Sequence, residues 1–230
     1  MAAYIQRRLF EEIRDQLGWF PVWPVGANVQ LGKVGFFHSR RKEFEWITSL
    51  EDLSINIQPI DSPRKFDEMY ATKSAVSCHF RIELMKRIAD FSFCRSNSLA
   101  AQGYDMQFLE LPIKRLNDLL IQKINNQEIQ WNYQWVILTQ VFYAKGFSIL
   151  MSGSSHSSAS LSADLPINGG ASFNIADVNL GIEASSYKGL AFQSLCKQGA
   201  SPYFYVHKLL WNHGKPHLRR YADRNPLVYV

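Results

Sequence analysis

Between residues 70 and 84 apolar and polar side chains alternate. Val76, Cys78, Phe80, Ile82 and Leu84 fall on one side, and Lys73, Ser77, His79, Arg81 and Glu83 on the other. A period of two sustained this long specifies a β-strand with one apolar face, because successive side chains of a strand point to opposite sides of its sheet. A polar break at Lys86-Arg87 follows. The run 88–99 then repeats the pattern, with Ala89, Phe91 and Phe93 on one face and Asp90, Ser92, Cys94, Ser96 and Ser98 on the other. Residues 70–99 therefore read as one long amphipathic hairpin.

A second hairpin is expected over 147–187. The stretch 146–187 has no Lys or Arg, and its acids are Asp164, Asp177 and Glu183. Its first arm, 147–163, puts Phe147, Ile149, Met151, Ala159, Leu161 and Ala163 on one face and Ser148, Leu150, Ser152, Ser154, His156, Ser158, Ser160 and Ser162 on the other. A break at 164–170 holds Pro166, Asn168, Gly169 and Gly170. The second arm sets Ala176, Val178, Leu180, Ile182 and Ala184 against Asp177, Asn179, Glu183 and Ser185.

Around these hairpins the chain alternates short strands with two helices. Ile5, Leu9, Ile13 and Leu17 recur at helical spacing and predict an amphipathic helix over 4–17, with Gly18 as its stop. Ile113, Leu116, Leu120 and Ile124 predict another over 113–125. Strands are expected at 28–37, 43–48, about 103–111, 135–143, 190–195 and 203–211, followed by a short basic tail over 212–230. Residues 135–143 are apolar on both faces, as in a buried central strand. The expected fold is α+β: one domain over 1–230, a twisted, mainly antiparallel β-sheet with peripheral helices and long amphipathic hairpins.

Composition narrows the function. Of 230 residues 47% are hydrophobic and 20% charged, so a full core can form; the formal net charge of +5 favours an acidic partner or an anionic lipid surface. The basic residues form no dense stripe, so no nucleic-acid partner is expected. Three widely spaced cysteines, Cys78, Cys94 and Cys196, argue against a disulfide framework or a zinc site and read as buried, reduced thiols of a cytosolic protein. The N-terminal stretch has no apolar core like that of a signal peptide, and no run of 18 apolar residues exists.

No catalytic constellation stands out, and the chain is not expected to be an enzyme or to carry a cofactor or metal. Ser155 and His156 do not lie in a nucleophile elbow, and as strand neighbours they would face opposite ways. His213 and His217 have metal-like spacing, but Gly214 and Pro216 exclude a shared helix face, and a third ligand is lacking. Gly26, Gly32 and Gly35 form no phosphate loop.

The order of these elements, from the amphipathic helix through the first hairpin, the helix 113–125, the core strand 134–141 and the second hairpin to the closing strand 202–209, resembles the pore-forming domain of the gasdermins in its short bacterial or fungal form. The resemblance covers about residues 4–211. It implies a cytoplasmic protein that moves to a membrane on activation and oligomerises there, in a cell-death or defence role such as antiviral defence. Implied membrane-inserting residues are Val76, Cys78, Phe80, Ile82, Phe91, Phe93, Phe147, Ile149, Met151, Leu161, Val178, Leu180 and Ile182. Arg7, Arg8, Arg14, Arg40, Arg41 and Lys42 would meet anionic headgroups. Implied partners are an anionic lipid membrane, further copies of the chain, and an activating or inhibitory protein. Two features depart from the family pattern: Ala2 stands where bacterial members often carry a lipidated cysteine, and little chain follows the closing strand. Activation by a partner or by assembly on lipid is then expected rather than cleavage of a tail. The competing reading is a non-enzymatic binding or regulatory module, because any half-buried strand alternates in this way.

Overall fold

A computed structural model describes the chain except for residues 1, 26, 28, 63–64, 73, 84–85, 165–182, 197–199, 213–214 and 222–230. It contains helix α1 (Ala2–Leu17), strands β1 (Phe20–Pro21), β2 (Lys33–His38), β3 (Glu43–Ser49), β4 (Ile60–Asp61), β5 (Phe66–Ala71), β6 (Val76–Glu83), β7 (Lys86–Phe93) and β8 (Leu99–Glu110), and helix α2 (Ile113–Asn125). Strands β9 (Val136–Tyr143), β10 (Gly146–Ser152), β11 (Ser157–Asp164), β12 (Glu183–Lys188), β13 (Leu190–Cys196), β14 (Tyr203–Asn212) and β15 (Lys215–Arg220) complete it. The α+β class and the antiparallel pairing agree with the sequence reading.

Eleven strands form one main sheet, with the path β1-β14-β9-β8-β10-β13; β15 pairs β14, β2 joins β3 to β9, and β4 and β5 pair β8. The long strand β8 organises it. Its C-terminal half pairs β9, from Gln107↔Tyr143 to Glu110↔Gln140, and its N-terminal half pairs β10, from Tyr104↔Gly146 to Leu99↔Met151. The remaining strands form a second, four-stranded sheet in the order β12-β11-β7-β6.

Helix α1 follows from its spacing. Ile5, Leu9 and Ile13 are buried against one face of the main sheet, with Tyr70, Leu99, Met106, Phe147, Ile149 and Met151. Full burial of such side chains is worth about 1.5–3 kcal/mol each. The Gly18 N–H donates to the Arg14 carbonyl over 2.9 Å and closes the helix. Helix α2 buries Leu116 and Leu120 in a second core with Val34, Leu50, Ile137 and Leu209.

Three expectations need correction. The first arm of the second hairpin is not one strand: it breaks at residues 153–156 into β10 and β11, which lie in different sheets. The basic tail is not all tail, since β15 pairs β14 from His207↔Arg220 to Asn212↔Lys215; Leu209 and Leu218 face each other there and give the strand an apolar anchor. Nor is any of the cysteines fully buried: Cys78 and Cys196 are half-buried, and Cys94 is exposed and donates to the Ser74 carbonyl over 3.2 Å.

Candidate functional site: two strand pairs bent over the main sheet

The two segments singled out by alternation come together. Strands β6 and β7 form a hairpin, from Val76↔Phe93 to Glu83↔Lys86. Strands β11 and β12 form the second pair, from Ser158↔Lys188 to Ser162↔Glu183. The pairs join along β7 and β11, where Phe91 faces Ala159 and Ala89 faces Leu161. Lys86 and Arg87 do not break the pattern: they are the first two residues of β7, paired with Glu83 and Ile82 of β6.

One face of this small sheet is apolar. Ala89, Phe91, Phe93, Ala159 and Leu161 are buried, with Val76 and Cys78 packed beside them, on a bed of Ala100, Leu150, Leu190 and Leu195. That bed is the face of the main sheet opposite α1. The other face is polar: Ser77, His79 and Ser92 are exposed. The Ser160 hydroxyl donates to Asp90 Oδ1 over 2.6 Å, a side-chain bond between the two strand pairs.

The strand order carries the main finding. In the main sheet β5, β8, β10 and β13 are neighbours in that order; in the small sheet the order is β6, β7, β11, β12. Chain connectivity joins β5 to β6, β7 to β8, β10 to β11 and β12 to β13. Each small-sheet strand therefore continues the main-sheet strand at the same place in the order. The small sheet is the far end of four main-sheet strands, bent back over the core.

The bend is built from four links held to one another by hydrogen bonds. Between the first two, Thr72 N–H donates to the Leu99 carbonyl and Leu99 N–H to Thr72 Oγ1, both over 2.9 Å, and Cys94 N–H donates to the Ala75 carbonyl over 3.0 Å. Between the second and third, Ser98 N–H donates to Ser152 Oγ over 2.8 Å, and Ser152 Oγ donates to the Arg95 carbonyl over 2.7 Å. Between the third and fourth, the Gly189 carbonyl accepts from Gly153 N–H over 2.8 Å and from Ser157 Oγ over 2.6 Å. Ser152, which alternation assigned to a polar strand face, and Ser157 thus pair the backbone where the ladder turns.

Three links contain a residue in the left-handed region: Ser74 at φ 57°, Asn97 at φ 60° and Gly189 at φ 67°. Glycine takes that conformation without penalty, whereas a residue with a Cβ carries a cost on the order of 1 kcal/mol. At Gly153 closeness is the constraint, since a Cβ there would sit 2.8 Å from the Gly189 carbonyl oxygen.

The residues expected to insert into lipid divide. Val76, Cys78, Phe91, Phe93 and Leu161 share the apolar face of the small sheet. Phe80 and Ile82 lie on β6, opposite Ala89 and Arg87 in register. Phe147, Ile149 and Met151 lie instead on β10 in the core under α1. Val178, Leu180 and Ile182 fall outside the described residues. Leu150, placed by alternation on the polar side, belongs to the bed under the small sheet; the signal for it was the run Phe147 to Met151, which is apolar at four of five positions.

The headgroup candidates sit at two places. On α1, Arg7 pairs with Glu11 over 2.9 Å, Arg8 with Glu12 over 2.9 Å, and Arg14 lies 4.0 Å from Asp15. Arg40 and Arg41 are exposed in the turn between β2 and β3, where Arg41 pairs with Glu43 over 3.3 Å; Lys42 Nζ lies 5.7 Å from the centre of the Phe10 ring. Glu12 also accepts from the Tyr70 hydroxyl over 2.7 Å, so α1 is bonded to the strand that leads into the first link.

Ser155 and His156 do not face apart, because they lie in the turn between β10 and β11 rather than on a strand. Ser155 Oγ is 3.0 Å from His156 Nδ1, and both residues are exposed. Among the described residues no group of three or more His, Cys, Asp or Glu side chains is placed to hold a metal, and no helix is long and apolar enough to cross a membrane.

No protein-family model matches the chain, and no curated protein does. Its fold is similar to that of a bacterial gasdermin from Bradyrhizobium tropiciagri, at 11% identity over 93% of this chain and 90% of that one, with a TM-score of 0.41. It is also similar to the gasdermin A3 membrane pore, at 8% identity over 97% of this chain and 96% of that one, with a TM-score of 0.31. At these identities the likeness concerns the fold alone.

Proposed function

We propose that the chain is a membrane pore-forming effector of a cell-death or defence type, whose bent four-strand unit straightens on an anionic membrane into two long amphipathic hairpins. The observation that supports this reading is the matched order of the two sheets. Small-sheet strands have six to eight residues, fewer than the ~9–11 a membrane-crossing strand needs. Each has a main-sheet continuation of six to twelve more, which takes every one past that length when the link straightens.

Straightening keeps the ladder bonds within each pair and exchanges the bed under Phe91, Phe93 and Leu161 for lipid. The apolar area stays out of water, at ~25 cal/mol per Å² on either side of the exchange. The serine-rich face would border a wet lumen, and edge strands β6 and β12 would pair with neighbouring copies to close a barrel, as backbone groups in lipid require. Arg7, Arg40 and Arg41 would contribute roughly 1 kcal/mol each near an anionic surface. In this reading the protein waits in the cytoplasm.

The test is release of an encapsulated dye from phosphatidylglycerol-containing vesicles at micromolar protein. Leakage with ring-shaped oligomers on the vesicles is expected; intact vesicles with protein bound in its bent form would overturn the proposal.

A further inference from the structure

Strand β9 begins at Val136, and beyond that point two of its neighbours have no strand between them. β2 pairs β9 only through Val34 and Gly35, and the pairing of β14 with β9 ends at Lys208↔Val136. The resulting gap is an open cavity of about 520 Å³. That volume is within the ~300–1,000 Å³ usual for small-ligand sites.

The walls differ in kind. Phe36, Phe37 and Val136 supply apolar surface, and Gln134 adds an amide. A carboxylate is present, but His38 Nε2 holds Glu45 Oε2 at 2.7 Å. Lys208 also lines the cavity and is half-buried. Among the described residues no carboxylate pairs with its ammonium, and Nζ lies 5.9 Å from the centre of the Tyr221 ring. Burial pushes that ammonium below the ordinary lysine value, as expected of a cation lacking a counter-charge. Arg219 is directly opposite Lys208 across the β14–β15 ladder.

We infer that this gap is a binding site for a small, soluble anion carrying a flat ring, with its carboxylate or phosphate on Lys208 and its ring against the Phe36 wall. The site is separate from the four links and does not depend on the pore-forming reading.

Naphthalene-1-carboxylate is the probe, titrated into the full-length protein while backbone amide shifts are followed by NMR. Saturable shifts confined to residues 36–38, Val136 and Lys208 are expected, with neutral naphthalene-1-methanol binding at least tenfold more weakly. Lys208→Met, which keeps the aliphatic stem, should weaken the carboxylate tenfold or more, and Lys208→Arg should retain it within a few-fold. Equal binding of acid and alcohol to the unaltered protein would overturn the site, and that comparison holds whether or not the variants fold. Unchanged affinity in a folded Lys208→Met, or shifts scattered over the surface, would overturn it equally.

Discussion

The Ser157 hydroxyl donates to the Gly189 carbonyl over 2.6 Å, which joins the first residue of β11 to the link between β12 and β13. Ser157 is buried and its Oγ also accepts from Ser154 N–H over 3.1 Å. Ser157→Ala removes both bonds and should cost about 1–3 kcal/mol in urea denaturation, the usual penalty for unpairing buried polar groups. Gly189→Val adds a left-handed β-branched residue whose Cβ would meet two serine hydroxyls at 3.1 Å, so it should cost about as much again.

Ser74 tests whether the bend is strained. Its φ of 57° is one a glycine adopts freely. Ser74→Gly should stabilise the bent state by about 0.5–1 kcal/mol and slow vesicle leakage, whereas Ser74→Val should do the opposite on both counts. Denaturation midpoints and leakage rates measured on the same preparations check the pair. Equal leakage rates despite a stability difference would detach the links from the activity.

Glu12 couples α1 to the first link. It accepts from Tyr70 OH over 2.7 Å and pairs with Arg8 over 2.9 Å, and Thr72 Oγ1 lies 3.4 Å from it. Glu12→Gln and Tyr70→Phe should be non-additive by at least ~0.5 kcal/mol in a double-mutant cycle. Hydrogen exchange at residues 72–75 should quicken in both single variants. Additive effects with unchanged exchange would mean that α1 packs on the sheet without governing the link.

His207 gives a pH dependence. Burial, and then the Arg220 charge, lowers its pKa to about 4, and its Nδ1 is 2.7 Å from Thr139 Oγ1. The unfolded imidazole takes up a proton below about 6.5, whereas the folded one stays neutral down to about 4. Between those values the unfolded state binds more protons, so the stability from neutral His207 is complete above pH 6.5 and is lost as pH falls toward 4. The loss is on the order of 3 kcal/mol. His207→Gln should flatten the stability curve across that window relative to the unaltered protein, as read from denaturation at a series of pH values.

The sequence made the local elements legible and left their relation hidden. Period two placed β6 and β7, and helical spacing placed α2 at its observed bounds, because each pattern reports which face of one element is buried. Alternation could not tell that Phe147 and Leu161 lie in different cores. The pattern passes through 153–156 with its parity kept, while the backbone turns there through hydrogen bonds of Ser152, Ser154 and Ser157 that no periodicity encodes. Leu150 was assigned to the polar side for the same reason: β10 is covered on both faces, by α1 and by the small sheet, and a strand covered twice has no polar side to alternate with. Periodicity does not reveal β15, because Lys215, His217, Arg219 and Arg220 outweigh its one apolar anchor, Leu218.

The most direct measurement is a single-cysteine scan along β7 at positions 89 to 93, with Cys78, Cys94 and Cys196 replaced by serine. Each site carries an environment-sensitive fluorophore on protein bound to anionic vesicles. The account predicts that labels at 89, 91 and 93 are quenched by lipid-borne nitroxide, and that labels at 90 and 92 are quenched by aqueous iodide. Quenching without a period of two, or a lipid-bound pattern identical to that of the protein in solution, would contradict it.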